Sequence, residues 1–399
     1  MKVLVFDPDH RGHHLQFVRI LADVLAGAKF EAVAHVAKNA LQLPEGKAHL
    51  VGLNNEVKLD QTLESPPLSS ALKNSKVRLN QLIDSVHRHR PDHVFLPYGD
   101  GIVQLLGFGM SAKALKDVSI EALILKGGGA GSLKKKLISK IYHRLYQRSK
   151  CERIHFLNPL SYNPVRHAND RFGIMPEPVE PFTNLDVNLA RKQLSIESAG
   201  RIISCLGGIS AQKNVQILTQ AFLKSNCSVD DRLLLVGKQS PEIVSFIGQL
   251  SADSKSRIIE INQYVDNETF LNAIVASDVV TIPYKSQAAS SGILVRAISA
   301  GKTIITDEAG YLGWLTKNFR FGSTCDVASV DSFANAISNQ MAGDLSSDCE
   351  AQQRFREFHT QDNFGRTWLQ YLRSHSTNET SDQFPVTWEW VTEGLKARD

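Results

Sequence analysis

No stretch of the 399-residue chain approaches the ~18 consecutive apolar residues that span a bilayer, which argues against an integral membrane helix. Residues 1–7 (MKVLVFD) are apolar too briefly, and meet acidic and turn residues too soon, for a secretory leader. The expected place is the cytoplasm, or the inner face of a membrane touched only peripherally. Cysteine is scarce. Cys151, Cys205, Cys227, Cys325 and Cys349 are odd in number and far apart, without the paired spacing of a zinc site or a redox dithiol, and read as reduced core thiols. Charge of one sign is also missing: 45 basic against 41 acidic residues leave a net +4, too little for a nucleic-acid partner, so any basic surface must be local. There is no short-period repeat and no low-complexity segment longer than a loop. With 42% hydrophobic and 22% charged residues the composition excludes a disordered or fibrous chain.

A chain of this length exceeds what one hydrophobic core normally organises, which predicts two domains and makes the cleft between them the first place to look for a ligand. Residues 3–6 (VLVF) form a continuous β-rich apolar run, as expected of a strand covered on both faces of a parallel sheet. Turn residues follow (Asp7, Pro8, Asp9, His10, Arg11, Gly12), and then Leu15, Val18, Leu21, Ala22 and Leu25 mark one face of a helix. Further strands are predicted at 31–36, 92–96 and 121–125, with a helix over 76–88. Pro176, Pro178 and Pro181 impose an extended linker, which sets a first domain at 1–178.

The alternation restarts beyond the linker. Strands are predicted at 201–206, 232–236, 257–261, 279–282 and 303–306, and helices at 215–224, 241–250, 267–276 and 292–300, giving a second domain at 179–375. The expected fold class is α/β, with two Rossmann-like doubly wound domains facing across a cleft. The remaining residues read as helical, over 355–373 and 385–396, with Trp368, Trp388 and Trp390 as packing anchors. The segment 376–399 is expected to cross back to the first domain.

Four segments of the second half fall at strand ends. The first is Leu206-Gly207-Gly208-Ile209-Ser210-Ala211-Gln212-Lys213-Asn214, where a glycine turn lets the backbone approach a phosphate and a lysine can add a charge-assisted contact. A generic strand-to-helix turn with a surface lysine explains the same residues. The second is Leu233-Leu234-Leu235-Val236-Gly237-Lys238, and the third Asn262-Gln263-Tyr264-Val265-Asp266. The fourth runs from Ile282-Pro283-Tyr284 through Ser290-Ser291-Gly292-Ile293-Leu294-Val295-Arg296-Ala297 to Ala300-Gly301-Lys302. Small and hydroxyl residues opening a helix leave its first amides free for an anion, the dipole having the right sign, though an ordinary N-cap by Ser290 or Ser291 reads equally well.

In this order the four segments resemble the carboxyl-terminal domain of GT-B glycosyltransferases, above all the retaining family 4, with its G-R-L-x-x-x-K-G turn, L-V-G strand end, G-Y/F-V loop and P-S-x-x-E-G-F-G-x-x-x-x-E-A-x-x-x-G-x-P-V-V segment. The likeness is clear over residues 200–320 and looser in the first half. It implies a glycosyltransferase that moves a sugar from a nucleotide-diphosphate donor to a hydroxyl of a glycan or lipid-linked acceptor, with retention and without a cofactor. By the same resemblance Lys213 contacts the diphosphate, Gln263, Tyr264 and Val265 flank the base, and the amides around Ser290, Ser291, Gly292, Ile293 and Leu294 cradle phosphate. Gly12 and His13 lie near the reacting sugar or the acceptor.

The departures are equally specific. Gly208 stands where the family has a phosphate-binding arginine. Arg296 stands where a glutamate usually holds the ribose, and an arginine there favours an anionic group instead. These losses leave open a non-catalytic sugar- or nucleotide-binding partner of the same fold, or a sugar-nucleotide epimerase. Asp100, at the end of a predicted strand, is a candidate base or acceptor-binding residue, or a turn former. His13 or His14 is a candidate donor of a hydrogen bond to substrate. Asp7-Pro8-Asp9 reads as a turn rather than a metal-holding pair, and no metal is expected. Lys134, Lys135, Lys136, Lys140, Arg144, Arg148 and Lys150, interleaved with apolar residues over 134–150, suit either an anionic membrane surface or a solvated helix with a buried stripe.

Overall fold

The computed structural model describes residues 1–11, 14–65, 71–107, 109–125, 141–142, 144–161, 171–197, 200–287, 289–343 and 349–376. They form two compact units. One takes the residues up to Pro178 together with the helix Gln361–Ser376, and the other runs from Val179 to Thr360.

The first unit is built on a seven-stranded sheet. Its strands are β1 (Lys2–Asp7), β2 (Glu31–Ala37), β3 (Val57–Leu63), β4 (His93–Leu96), β5 (Ser119–Ile124), β6 (Arg153–Phe156) and β7 (Phe172–Ile174). Their spatial order is β3-β2-β1-β4-β5-β6-β7, with neighbouring strands parallel. The apolar run of β1 serves both faces at once, because alternate side chains point opposite ways. Val3 and Val5 pack with the helix His14–Gly27 and with Phe364, Trp368 and Leu372 of Gln361–Ser376. Leu4 and Phe6 pack with Leu82 and Val86 of the helix Ala71–His89. Each such fully buried side chain contributes about 1.5–3 kcal/mol.

The second unit repeats the plan with β8 (Ile202–Leu206), β9 (Arg232–Val236), β10 (Ile258–Ile261), β11 (Val279–Ile282), β12 (Thr303–Asp307) and β13 (Gly322–Cys325). Their order is β10-β9-β8-β11-β12-β13, again parallel. Both sheets therefore reverse direction beside their first strand, between β1 and β4 and between β8 and β11. This is the strand order of a doubly wound Rossmann-like domain, in which ligands bind outside the carboxyl ends at the reversal point.

The chain departs from its sequence pattern in four strands and at its end. Strands β3, β6, β7 and β13 carry no long apolar run: β3 reads VKLDQTL and lies at the sheet edge, where only one face needs covering. The predicted single helix over 355–373 is two, Cys349–Phe358 and Gln361–Ser376, broken at His359 and Thr360. Since the latter sorts with the first unit, the second ends at Thr360 rather than at residue 375. Residues 377–399, with Trp388 and Trp390, lie outside the described residues. Among those described, no helix is long and apolar enough to cross a membrane.

Candidate functional site

At the reversal point of the second sheet, β8 ends in Gly207 and Gly208, a short helical turn (Ala211–Lys213) follows, and the helix Val215–Lys224 begins. Gly207 has φ +82° and Gly237, ending β9, has φ +129°, a region that favours glycine. A Cβ on Gly237 would stand 2.2 Å from the Gly207 carbonyl oxygen. The L-V-G strand end thus has a physical cause: the β8 turn leans on backbone where any side chain would be. Asn214, at φ +49°, closes the turn and donates from Nδ2 to the Pro283 carbonyl at 2.8 Å, tying it to the end of β11.

Lys213 is folded inward at this turn. The residue is 6% exposed, its Nζ donates to the Leu206 carbonyl, and the ammonium sits 5.5 Å from the centre of the Tyr284 ring. Burial pushes its pKa down, with a smaller opposing pull from Cys205. No carboxylate pairs with it among the described residues. A Cβ placed on Gly207 would lie 2.9 Å from Lys213 Nζ and 3.3 Å from Ile293 Cδ1, so the ammonium and the first turn of the helix Gly292–Ser299 flank one glycine.

That helix opens at Ser291, whose hydroxyl accepts from the Leu294 amide at 3.5 Å while its carbonyl accepts from Val295. The intrahelical ladder leaves the amides of Gly292 and Ile293 for an outside acceptor. Lower on the helix, Arg296 is 6% exposed, and its Nη2 lies 3.2 Å from Glu180 Oε2, with Nη1 3.4 Å from the Gly292 carbonyl. The anionic group expected for Arg296 is thus, in this structure, a glutamate of the chain itself. Ser290 holds Gln287 Nε2 through its carbonyl at 3.1 Å.

Gln263, Tyr264 and Val265 lie beyond β10, two strands from β8, a separation of about 10 Å. Tyr264 is 90% exposed, and Asp266 caps the following helix through the Thr269 amide at 2.7 Å. Gly208 is exposed, and a Cβ built on it meets nothing within 4 Å, so the position has room for a long side chain.

In the first unit the loops after β1 and β4 come together at the other reversal point. Asp7, 1% exposed, receives His14 Nδ1 at 2.8 Å, and the His14 ring stacks on Tyr98 with 3.4 Å between centroids. Burial, with Asp7 behind it, pushes the Tyr98 phenol well up. Asp9 accepts Arg11 Nε at 2.7 Å, Arg11 Nη2 at 2.6 Å and Arg78 Nη2 at 3.1 Å. Asp100 has a structural duty here, as its Oδ2 accepts the Leu125 amide at 2.8 Å just after β5. Gly12 and His13 lie outside the described residues. So do residues 134–140 and 143 of the basic segment; in the rest of it Tyr146 is buried in the core while Ile141 and Tyr142 are exposed.

Sequence reasoning passed over the Asp7–His14–Tyr98 cluster and the Tyr284 ring. The first was hidden by reading Asp7 and Asp9 as turn formers, although an aspartate ending a buried strand just before a histidine-led helix was a usable signal. The second was hidden because nothing in the sequence places an aromatic 71 positions away over Lys213.

No family model matches the sequence, and no curated protein matches it. Solved structures do match over nearly the whole chain. Sucrose-phosphate synthase from Thermosynechococcus elongatus is 15% identical with a TM-score of 0.66, covering 95% of this chain and 99% of that one. Anabaena HepE in complex with UDP-glucose is 14% identical with a TM-score of 0.65, covering 94% and 100%. A putative UDP-N-acetylglucosamine 2-epimerase from Listeria monocytogenes is 10% identical with a TM-score of 0.62, covering 97% and 99%. Two parallel sheets of one strand order, matched end to end by such structures, give this chain the GT-B fold.

Proposed function

We propose that the chain is a glycosyltransferase that takes a sugar from a nucleotide-diphosphate donor and passes it to a hydroxyl of a glycan or lipid-linked acceptor, with retention. The observation that carries this is Lys213, a buried ammonium without a carboxylate partner among the described residues, placed beside Gly207 and the open first turn of Gly292–Ser299. A buried charge left unpaired is costly, so such an arrangement suits an incoming anion. Two amides, a helix dipole and one ammonium around a glycine suit a diphosphate. They would stabilise the charge that grows on it as the glycosidic bond breaks, a role that needs positioning rather than covalent chemistry. A solved structure of similar fold with UDP-glucose bound supports the donor class.

The test is calorimetric binding of nucleoside diphosphates, together with transfer and donor hydrolysis, by the wild type and by Lys213→Ala. Loss of a charge-assisted contact of about 1.5–3 kcal/mol lowers affinity about 10- to 150-fold. Since it also removes a buried cation, Lys213→Ala should not lower thermal stability in the absence of nucleotide. Gly208→Arg, which fits the open space there, should tighten binding. Unchanged affinity in Lys213→Ala would sink the reading. A non-catalytic binding partner is the second reading, favoured by the internal pairing of Arg296 with Glu180, and binding without turnover selects it. An epimerase, the name of one structural neighbour, would give an altered sugar nucleotide without any acceptor.

A further inference from the structure

On the face of the first sheet that the helix Ala71–His89 covers, three side chains of metal-ligating type converge. His35 on β2 and Asp60 on β3 are register partners, and His89 ends the helix Ala71–His89 that covers this face. His35 Nε2 lies 3.7 Å from Asp60 Oδ1, His89 Nε2 lies 3.1 Å from Asp60 Oδ2, and one ligand atom from each of the three falls within 4.8 Å of the others. Both rings are buried, His35 to 2% and His89 to 6% exposure, and meet edge-on with 4.9 Å between centroids. Although it lies 3.1 Å from Asp60 Oδ2, His89 Nε2 is buried and makes no hydrogen bond. Buried nitrogen of this kind normally finds a partner.

We propose that His35, Asp60 and His89 bind one divalent transition-metal ion of the zinc class. The donor set is two imidazole nitrogens and one carboxylate oxygen, which suits zinc and its neighbours, whereas calcium and magnesium take oxygen ligands. Tetrahedral zinc with bonds near 2.0–2.1 Å holds its ligand atoms about 3.3 Å apart, and the distances of 3.1 and 3.7 Å bracket that value. Thr62 Oγ1 lies 2.9 Å from His35 Nε2 and donates to Asp60 Oδ1 at 2.8 Å, holding the two groups beside each other. Arg88 Nη1 stands 3.4 Å from Asp60 Oδ2 on a half-exposed side chain, so it competes for the carboxylate and can swing out to admit the ion. The bound metal ties the two outermost strands, β2 and β3, to the end of their covering helix.

The test uses the full chain dialysed against a chelator and titrated with Co(II), whose visible absorption reports ligand number and type. Expected are one equivalent of Co(II) bound per chain, displacement by Zn(II), and a rise in thermal midpoint with zinc. His35→Ala and His89→Ala each lose more than about tenfold in affinity. Arg88→Ala, which keeps all three ligands and alters an exposed residue, binds about 2- to 5-fold more tightly through loss of a competing cation. Absence of stoichiometric Co(II) uptake by the folded wild type overturns the proposal, as does equal uptake by a folded histidine variant. Should neither histidine variant fold, Arg88→Ala decides, since unchanged or weaker binding by it is equally fatal.

Discussion

Single side chains in both units are held by electrostatics that a change of pH will expose, and Asp9 is the plainest case. Burial alone would raise its pKa, but the paired hydrogen bonds from Arg11, helped by the nearby His14, hold it at about 2 against an ordinary 3.8. A carboxylate whose folded value lies below its unfolded one contributes stability above the unfolded value and loses it as pH falls through the folded one. The depression corresponds to about 2 kcal/mol, present at about pH 5 and gone near pH 1. Urea denaturation of wild type and Asp9→Asn should therefore show a stability difference that narrows by about that amount as the pH is lowered over this range. A constant difference would mean that Arg11 and Arg78 hold Asp9 no more strongly in the folded than in the unfolded chain. At this scale the sequence was least informative: Lys213 was legible as a cation near a glycine turn, but its inward fold under Gly207 was not. The type and order of the residues carried the first, while the second depends on Tyr284 and Ile293 arriving from the loop and the helix that follow β11.

Elements were legible to the degree that their patterns were strong. β9 (RLLLV), β11 and the helices Val215–Lys224 and Asn267–Ala276 fall where their apolar runs and periodicities predict them. β3, β7 and β13, short or polar, owe their conformation to a neighbouring strand, a tertiary cause that no local window contains. The junction of β8 with β9 provides the prediction at this scale. Gly237→Ala would force a Cβ to within 2.2 Å of the Gly207 carbonyl at a φ of +129°, so the two strand ends must separate. We expect a loss of about 1–3 kcal/mol in chemical denaturation. Nucleotide affinity should fall with it, because the same turn carries Lys213. A variant that loses stability but binds as before would show that the donor does not use this turn.

For the whole molecule, the division into units assigns a different dependence to each half. Among the described residues the second unit, Val179 to Thr360, is one continuous piece of chain with its own sheet and core, and it should fold alone as a cooperative unit in circular dichroism and urea melts. The first is not continuous. A fragment ending at Pro178 lacks Phe364, Trp368 and Leu372, and Trp368, fully buried with its ring 4.7 Å from Phe95, is alone worth about 3–5 kcal/mol. This fragment should be poorly folded or aggregated and be rescued by a peptide carrying residues 361–376. Cooperative folding without that helix would refute its assignment to the first core.

The same arrangement sets a timetable for biosynthesis. Domains usually fold as they leave the ribosome, the amino-terminal one first, at about 5–20 residues per second. Here the first sheet emerges first with its own helices, but its core is not complete until Gln361–Ser376 follows, after the entire second unit has been translated. For something on the order of ten to forty seconds the apolar surface that Phe364, Trp368 and Leu372 will cover, which includes Phe95, stands open in the nascent chain, while the later-made half can already close. The half begun first is finished last, and that interval is when this protein has most need of a chaperone.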